Sequence, residues 1–426
     1  WNERSVAPAT CVPGPNDPIE EESCHQPKIM QFQCEKQNMH SIVPRKLSSE
    51  ILRSSTEYPV VTLIGPRQSG KTTLVRSLFS NHGYANLEDP ELRSLAERDP
   101  KAFLHRFPPP VIFDEIQRVP SMLSYIQVKV DERPSGKGQW ILTGSNQLRL
   151  RESVAQSLAG RTALLTLLPF SIGELAGAGA SAHRSFSEWI HTGFLPRIHD
   201  QGIRPLSAWR DYYQTYVERD VRLLIQLENQ TGFERFLRLL AGRVGQLLNL
   251  NSMAGEVGVA QSTLAKWMSV LEASFVVFRL LPYHKNFGKR LTKSPKLYFT
   301  DPGLAAFLLG IESADQVERD PLVGGLFENL VVLEALKSRL HSGLLPNLHF
   351  FRDSNGREVD LLYPFGASVI PIEIKSAMTF HADFESGIRY FQKLTGSMQS
   401  GRIIYAGETE FVTDGYEVVN FSRAFQ

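Results

Sequence analysis

The sequence lacks any apolar run near the roughly 18 residues that a membrane-spanning helix needs. Its longest apolar stretches are interrupted, for example by Pro169 and Arg279. Residues 1–20 also lack the continuous hydrophobic segment of a signal peptide. With 42% hydrophobic and 21% charged residues, the composition is typical of a globular protein. These absences predict a cytoplasmic protein that has no membrane partner.

Cysteine is also scarce. The three cysteines, Cys11, Cys24 and Cys34, all lie near the beginning of the chain. Zinc sites typically use closely spaced pairs such as C-x2-C, and no such pair is present. Several prolines and the acidic run 20–22 accompany these cysteines, which favours a flexible N-terminal tail over residues 1–42. The sequence does not indicate a function for this tail.

The chain has almost no net charge, +1 from 46 basic and 45 acidic residues. Any affinity for nucleic acid must therefore come from a local basic surface rather than from the field of the whole molecule. With 426 residues, the chain is long enough for two to three domains. The overall composition does not distinguish between most classes of function, so the function must be inferred from local motifs.

The clearest motif is a glycine-bounded loop between a strand and a helix. The β-branched run Val60–Ile64 is followed by GPRQSGKT, which matches G-x-x-x-x-G-K-[ST] and leads into an apolar-periodic helix. Glycines allow the tight turn in which consecutive N–H groups and a helix N-terminus face phosphate oxygens. The predicted nucleotide-binding residues are consecutive: Gly65, Pro66, Arg67, Gln68, Ser69, Gly70, Lys71, Thr72 and Thr73. Lys71 would supply a charge for the β- and γ-phosphates of ATP, and the Thr72 hydroxyl would be a ligand of Mg²⁺.

Two carboxylates follow a second buried strand. Asp114 and Glu115 come directly after the apolar residues 111–113, and open α/β sheets bind ligands at the carboxyl ends of their strands. We expect Asp114 to hold Mg²⁺ through water and Glu115 to act as the general base towards the attacking water. The alternative is an ordinary strand that ends in a polar turn, which the upstream phosphate-binding motif disfavours.

Two more positions are candidates for the same site. Ser145 and Asn146 follow the apolar run 140–142 and would sense the γ-phosphate and position water, although a simple Asn/Ser turn is an equally good interpretation. Arg161 precedes the next predicted strand. It is either an arginine finger that completes a neighbour's active site or a charge at a helix C-terminus, and the sequence leaves both open.

Strands alternate with helices between residues 43 and 180, which predicts a parallel sheet covered by helices on both faces. Residues 181–232 are predicted to form a helical lid. Tyr212, Tyr213 and Tyr216 recur there at helical spacing and are interpreted as core residues.

Residues 233–310 differ from the rest in charge. Between 233 and 300, ten basic residues oppose three acidic ones, a net charge of +7. The stretch 251–273 has the spacing of a helix-turn-helix, and the strands predicted after it would complete a wing. Polar and basic side chains are predicted to contact DNA: Gln261, Ser262, Thr263, Lys266, Lys289, Arg290 and Lys293. A winged helix that binds protein, with a solvated basic loop, is the alternative.

Residues 311–426 contain two apolar-flanked strands that carry charged side chains. Asp360 lies in the first strand and Glu373 and Lys375 lie in the second, and the interval of 12 residues between Asp360 and Glu373 predicts a hairpin. Period-2 alternation places Glu373 and Lys375 on one face. Asp360 and Glu373 are predicted to hold a divalent metal, with Lys375 either activating water or steadying the pentavalent phosphate. Glu328 would add a fourth group to this nuclease-type site. Charge alternation on a half-buried strand is the alternative.

Together these stretches resemble a prokaryotic family of AAA-type ATPases of undefined function that carry a C-terminal winged helix and a PD-(D/E)xK nuclease-like module. The resemblance runs from about residue 43 to the C-terminus, so only the N-terminal tail lies outside it. It rests on these short stretches: 44–45, 65–73, 113–117, 142–145, 158–161, 215–221, 296–303, 327–329, 358–360 and 373–375.

The resemblance implies an α/β fold: a P-loop NTPase parallel sheet with a helical lid, then a winged helix and a restriction-endonuclease-like α/β domain at 311–426. It implies nucleotide roles for Lys71, Thr72, Asp114 and Glu115. The nuclease-type roles fall on Asp360, Glu373 and Lys375. A homo-oligomer, for which a ring is one arrangement, is implied by the resemblance alone.

Three functions are compatible with the sequence. The first is a DNA-dependent ATPase, in which hydrolysis of Mg·ATP moves or remodels DNA held by the winged helix. The second is an ATP-coupled, metal-dependent DNA nuclease, and the third is an ATP-switched regulatory protein whose winged helix binds a protein partner. The first is favoured because the phosphate-binding loop, the paired carboxylates and the basic segment are all present.

Overall fold

The computed structural model describes residues 43–425, except 134, 146–153, 155, 180–183, 222–228, 284–291 and 397–398 and the side chains of 218–220. Several of the residues predicted above lie outside this part of the chain: Asn146, Lys289, Arg290, Cys11, Cys24 and Cys34.

Five parallel strands form the first sheet. In chain order they are Val60–Ile64 (β1), Gly83–Asn86 (β2), Val111–Asp114 (β3), Trp140–Gly144 (β4) and Thr162–Thr166 (β5). Their order across the sheet is β2-β3-β4-β1-β5, and every neighbouring pair is parallel. Parallel neighbours require crossover connections, which the intervening helices supply. The predicted parallel α/β sheet is confirmed.

Helices cover both faces of this sheet, which explains why its central strands are apolar throughout. The helices are Ser48–Glu57 (α1), Lys71–Leu78 (α2), Pro90–Arg98 (α3), Pro100–Arg106 (α4) and Met122–Glu132 (α5), with a 3₁₀ turn at Ile116–Arg118. On β1, Val61 packs into the apolar layer on one face, whereas Val60 and Ile64 pack into the layer on the other. Each fully buried aliphatic side chain contributes about 1.5–3 kcal/mol.

Short helices follow the first sheet and enclose an aromatic core. They are Ile172–Gly177 (α6), Phe186–Thr192 (α7), Pro196–Asp200 (α8), Pro205–Tyr212 (α9), the π-helix Tyr213–Val221 and Gln230–Ala241 (α10). Tyr212 and Tyr216 are buried, with ring centroids 5.2 Å apart. Their predicted role in core packing is confirmed, while Tyr213 is only partly buried against the same core.

The predicted pair of helices and the pair of strands after it lie where the sequence places them. Leu250–Val257 (α11) ends at Gly258, which has the positive φ of 79° typical of a helix C-cap, and Gln261–Ala273 (α12) follows the turn. Val277–Pro282 (β6) and Lys296–Phe299 (β7) then pair antiparallel.

The strands β6 and β7 belong to a second, eight-stranded sheet. Its other strands are His349–Arg352 (β8), Glu358–Phe365 (β9), Ser368–Lys375 (β10), Gly401–Tyr405 (β11), Phe411–Thr413 (β12) and Tyr416–Asn420 (β13). The order is β12-β13-β11-β10-β9-β8-β6-β7, and β6 joins the sheet through a parallel pairing with β8. The hairpin predicted around Asp360 and Glu373 is confirmed by the antiparallel pairing of β9 with β10. The sheet therefore extends across the domain boundary predicted at residue 310.

A long helix lies between the two halves of the molecule. The remaining helices are Pro302–Leu308 (α13), Ala314–Arg319 (α14), Val323–His341 (α15), the 3₁₀ turn Ala382–Glu385 and Ser386–Thr395 (α16). On α15, Leu330 packs into the core of the C-terminal half, and Leu333 packs into the core of the first sheet. Across the part of the chain that the structure describes, no helix is both long and apolar enough to cross a membrane.

Candidate functional site

The phosphate-binding motif forms a loop between the carboxyl end of β1 and the N-terminus of α2. Gly70 has a φ of 87° and is the N-cap of α2, so the loop needs a residue that tolerates the left-handed region. Gly65 is required for a different reason, because a Cβ atom there would lie 2.0 Å from the backbone oxygen of Leu167. Both glycines of the motif are therefore explained by the backbone.

Substituting the first of these glycines tests the geometry of the loop. We expect Gly65→Ala to push the loop away from Leu167 and to weaken ATP binding at least tenfold. Overpacking of this kind costs about 1–3 kcal/mol, which a lower thermal midpoint would report. Gly177→Ala is the matched control, since no atom lies within 4 Å of the added Cβ. Unchanged ATP affinity in Gly65→Ala would contradict the described loop.

Lys71 lies inside the loop. Its ammonium donates to the carbonyl oxygens of Gly65, at 3.1 Å, and Pro66, at 2.8 Å, and only 5% of the residue is exposed. Burial lowers the pKa of Lys71, although the carboxylates of Glu115 and Asp114 act in the opposite direction. The ammonium is therefore held by the backbone of the loop that the motif assigns to phosphates.

Asp114 is the polar centre at the end of β3. It is buried and accepts hydrogen bonds from the Thr72 hydroxyl, at 2.8 Å, from the Tyr84 hydroxyl, at 2.9 Å, and from Thr143. The structure therefore brings together Thr72 and Asp114, the two residues predicted to hold Mg²⁺. No role was predicted for Tyr84, which lies on another strand outside the recognised motifs. None was predicted for Thr143 either, although it lies within the family-like stretch 142–145.

Glu115 is held beside Asp114 in an unusual backbone conformation. Its φ of 55° lies in the left-handed region, which is uncommon for a residue other than glycine and is often found at functional sites. Ser145 donates to Glu115 Oε2 at 2.8 Å, and Gln117 donates to the same oxygen. Burial acts to raise the pKa of Glu115, but Lys71 and these hydrogen bonds outweigh it and lower the pKa. The carboxylate is therefore ionised at neutral pH.

The other residues predicted in the loop have different surroundings. Arg67 forms an ion pair with Glu88 at 3.2 Å, and Gln68 has a φ of 61°. The buried Ser69 hydroxyl has no hydrogen-bond partner among the described residues, and Thr73 is exposed on α2.

Arg161 lies at the opposite edge of the first sheet from the loop. Its carbonyl oxygen accepts from the amide of Val60, at the amino end of β1, and its guanidinium pairs with Asp131 at 2.7 Å on the surface. Arg161 therefore does not belong to the P-loop site of its own chain. The arginine-finger interpretation, which places it in the site of a neighbouring copy, stays a prediction.

A buried ion pair connects the loop to the rest of the molecule, and sequence reasoning assigned it no role. Arg45 donates to the carbonyl oxygens of Ser69, at 2.8 Å, and Leu168, at 2.6 Å, and pairs with Glu174 at 3.1 Å. Glu174 also lies 3.7 Å from His341 at the end of α15. All of these contacts are long-range, so the local sequence does not predict them. In the sequence, Arg45 stands out only because it follows a proline in the family-like stretch 44–45.

The predicted nuclease-type residues also come together. Lys375 Nζ lies 2.6 Å from Glu373 Oε2 and 3.2 Å from Asp360 Oδ2. Burial raises the pKa of Glu373 well above its ordinary value, and the nearby Asp360 adds to this effect. Burial acts in the same direction on Asp360, but Lys375 and Lys296 outweigh it and lower the pKa of Asp360.

Glu328 contacts a different lysine. Its carboxylate accepts from Lys296, at 2.7 Å, and from the Tyr298 hydroxyl, at 2.6 Å. Lys296 also pairs with Glu358 and lies 3.9 Å from Asp360. Within the described residues, no three His, Cys, Asp or Glu side chains form a group that could hold a metal ion. Lys296 is one of the ten basic residues counted between 233 and 300, but it does not add to the surface charge, because it is only 3% exposed.

The predicted DNA-contacting residues that the structure describes lie on the surface. Gln261, Ser262 and Lys266 are exposed at the beginning of α12, Thr263 is half-buried, and Lys293 is exposed before β7. Part of the charge excess in this region is compensated locally. Arg243 pairs with Glu256, and Arg279 pairs with Glu272 at 2.6 Å.

Family models match three successive parts of the chain. One described as an AAA domain matches residues 57–176. Two described as domains of unknown function match residues 183–315 (DUF8612) and 323–424 (DUF4143).

Two relatives match most of the chain. It is 30% identical over 372 residues to the uncharacterised proteins Rv2008c of Mycobacterium tuberculosis and Mb2031c of Mycobacterium bovis, and each alignment covers 86% of this chain and 81% of the relative. Among solved structures, the Walker-type ATPase PABY2304 of Pyrococcus abyssi is 16% identical. That comparison covers 63% of this chain and 97% of the other, with a TM-score of 0.42, too low to support an inference of its own.

The parallel sheet, the glycine-bounded loop with Lys71 and the carboxylates at the end of β3 define a P-loop ATPase of the AAA type, in agreement with the AAA domain match. The chain belongs to the same protein family as Rv2008c and Mb2031c.

Proposed function

We propose that this ATPase couples the hydrolysis of Mg·ATP to work on DNA held by α11 and α12. One observation carries the proposal: the exposed polar and basic side chains of α12 belong to the same compact unit, residues 42–426, as the phosphate-binding loop. A helix that exposes polar groups at its N-terminal end after a tight turn is the arrangement that helix-turn-helix proteins insert into the major groove.

The phosphates of ATP are proposed to bind in the loop 65–70. The N-terminus of α2, the Lys71 ammonium and the buried Ser69 hydroxyl, which has no partner among the described residues, all lie there. Backbone N–H groups at a helix N-terminus attract anions, and Lys71 adds a full positive charge. The loop thus has the donors that a triphosphate needs and no carboxylate in its own sequence.

The donors beside the loop suit Mg²⁺, which prefers oxygen ligands. The Thr72 hydroxyl and the Asp114 carboxylate lie 2.8 Å apart and would hold the ion, Asp114 through water. When bound, Mg²⁺ would neutralise negative charge on the β- and γ-phosphates. Tyr84 and Thr143 keep Asp114 oriented through their hydrogen bonds.

Glu115 is proposed to be the general base. Ser145 and Gln117 fix its Oε2 atom, so the second oxygen, Oε1, would accept a proton from water. The water oxygen then bonds to the γ-phosphorus, and the bond from that phosphorus to the β–γ bridging oxygen breaks. ADP leaves with the electron pair of the broken bond. Because Ser145 contacts the base directly, it would also report the state of the γ-phosphate.

Direct binding tests the DNA part of the proposal. We expect the wild-type protein to bind a labelled duplex with an affinity that falls steeply as salt rises. Lys266→Glu should weaken this binding several-fold, whereas Lys101→Glu, on the exposed face of α4, should not. Fluorescence anisotropy at two salt concentrations measures both effects. If neither duplex nor single-stranded DNA binds, the result contradicts the proposal and favours a protein partner for this surface.

We also propose that the protein acts as a homo-oligomer, in which Arg161 reaches the nucleotide of a neighbouring copy. Its exposed position away from its own loop supports this, because only a residue at the surface can act in another subunit. Mass photometry of Glu115→Gln with ATP should then show a larger assembly, such as a ring. A monomer under all nucleotide conditions would contradict the oligomer.

Nuclease activity is the alternative function that the C-terminal half raises. Asp360, Glu373 and Lys375 do come together, which supports a nuclease-like fold. However, their donor set does not suit a metal ion, because Asp360 and Glu373 are already paired with Lys375, and Glu328 is paired with Lys296. Incubation of DNA with Mg²⁺ or Mn²⁺ should give no cleavage that differs between the wild-type protein and Asp360→Ala.

A further inference from the structure

Four carboxylates in the C-terminal half, those of Glu328, Glu358, Asp360 and Glu373, form an acidic cluster, and Lys296 lies within it. This lysine is the first residue of β7, and its side chain is 4% exposed. Its ammonium lies 2.7 Å from Glu328 on α15, contacts Glu358 on β9 and lies 3.9 Å from Asp360 on the same strand. One cation thus faces three carboxylates from two different elements.

We propose that Lys296 is the built-in cation of this cluster and occupies the position that a divalent metal ion would need. Carboxylates gathered around a common point require a positive charge there, because buried like charges repel each other. In this chain a side chain supplies that charge. The wild-type protein therefore binds no divalent metal at Asp360, independently of any metal bound at the P-loop site.

The neighbouring charges support this assignment. Lys375 bridges Asp360 and Glu373, and Arg352 pairs with the second oxygen of Glu358 at 2.8 Å. Every carboxylate of the cluster therefore already has a cationic partner from the protein. A metal ion could enter between Glu328, Glu358 and Asp360 only by displacing Lys296, which is almost completely buried and would lose its own partners.

The acidic cluster also contributes to the fold, because its ion pairs join separate elements. Tyr298, two residues after Lys296, donates to Glu328 at 2.6 Å, so β7 contacts α15 through two side chains of one strand face. Because Lys296 contacts β9 as well, the ion pairs join β7 to α15 and to the centre of the second sheet. The residues of a nuclease-type motif here serve as a structural network.

Mn²⁺ binding to the nucleotide-free protein tests the assignment, with electron paramagnetic resonance as the readout. Lys296→Met keeps the length of the side chain and removes its charge. We expect this variant to gain one Mn²⁺ site. The affinity of that site for Mn²⁺ should be at least tenfold higher than the affinity of any wild-type site that depends on Asp360. Adding Asp360→Ala to this variant should remove the gained site. Lys293→Met, at an exposed lysine close by, should gain none.

Two results would overturn the proposal. The first is an Mn²⁺ site in the wild-type protein that Asp360→Ala removes, and this measurement does not depend on the folding of any lysine variant. The second is a cooperatively unfolding Lys296→Met protein that gains no site. Since the P-loop residues can also take up Mn²⁺, each protein is compared with the same protein carrying Asp360→Ala, and only the difference is assigned to the cluster.

Discussion

Glu115→Gln is expected to lower the rate of ATP turnover about 10²–10⁴-fold, the usual contribution of a general base. The amide cannot accept the proton of the attacking water, but it keeps the size of the side chain and a carbonyl oxygen for the hydrogen bonds from Ser145 and Gln117. The loop and Lys71 are untouched, so ATP affinity should stay within a few-fold of the wild-type value. Steady-state phosphate release and equilibrium binding of labelled ATP measure the two quantities separately.

The matched control for this substitution is Glu97→Gln. Glu97 is an exposed glutamate on α3, so its variant should turn over ATP at the wild-type rate. If Glu115→Gln hydrolysed ATP as fast as this control, Glu115 would not be the base. If ATP binding were lost together with turnover, the left-handed backbone at Glu115 would instead be needed to shape the site.

Lys71→Met should reduce the affinity for ATP about 10- to 150-fold, since a hydrogen bond to a charged group contributes about 1.5–3 kcal/mol. Methionine preserves the unbranched side chain but cannot neutralise phosphate charge. Because Lys71 is buried and its pKa is lowered, removing its charge should not destabilise the empty protein strongly. The measurement is a titration with ATP in the presence of Mg²⁺, together with the thermal midpoint.

Lys101→Met, on exposed α4, provides the control for a lost lysine charge. It should leave ATP affinity and turnover unchanged. Equal ATP affinities for Lys71→Met and the wild-type protein would mean that nucleotide binds elsewhere, and the mechanism built on the loop would fail with it.

The sequence predicted the proximity of those candidate residues that are neighbours along the chain or that end neighbouring strands. The loop 65–73 is local, and Asp114, Glu115 and Ser145 follow apolar runs, so parallel strand order alone brings them to one edge. The hairpin that carries Asp360 and Glu373 was predictable for the same reason, because period-2 alternation and a short turn fix which side chains share a face.

Long-range contacts could not be read in this way. Arg45 reaches Glu174 and Leu168 across more than a hundred residues of sequence, and nothing in either local pattern indicates the pairing. Tyr84 contacts Asp114 only because β2 lies next to β3. Such contacts depend on the order of strands and the packing of helices, which one sequence does not specify.

Charge counting failed at one position for a related reason. Lys296 lies between a basic stretch and the apolar residues of a strand, so its sequence neighbours are compatible with either an exposed or a buried side chain. The structure buries it because three carboxylates surround its ammonium. A net charge of +7 between residues 233 and 300 therefore overstates the surface charge that DNA would meet.

The described contacts also give a physical route between the two halves. Arg45 holds the loop through the Ser69 carbonyl oxygen and pairs with Glu174, and Glu174 in turn faces His341 on α15. On the same helix, Lys337 donates to the Phe170 carbonyl oxygen at 2.6 Å. These contacts connect the phosphate-binding loop to the helix that supports the second sheet.

The most direct test of the central proposal is the rate of ATP turnover by the wild-type protein with and without duplex DNA at low salt. The account predicts that DNA raises the rate, that high salt abolishes the increase, and that Lys266→Glu responds less than the wild-type protein. The same rate with and without every DNA tested would contradict it and leave an ATPase whose partner is not DNA.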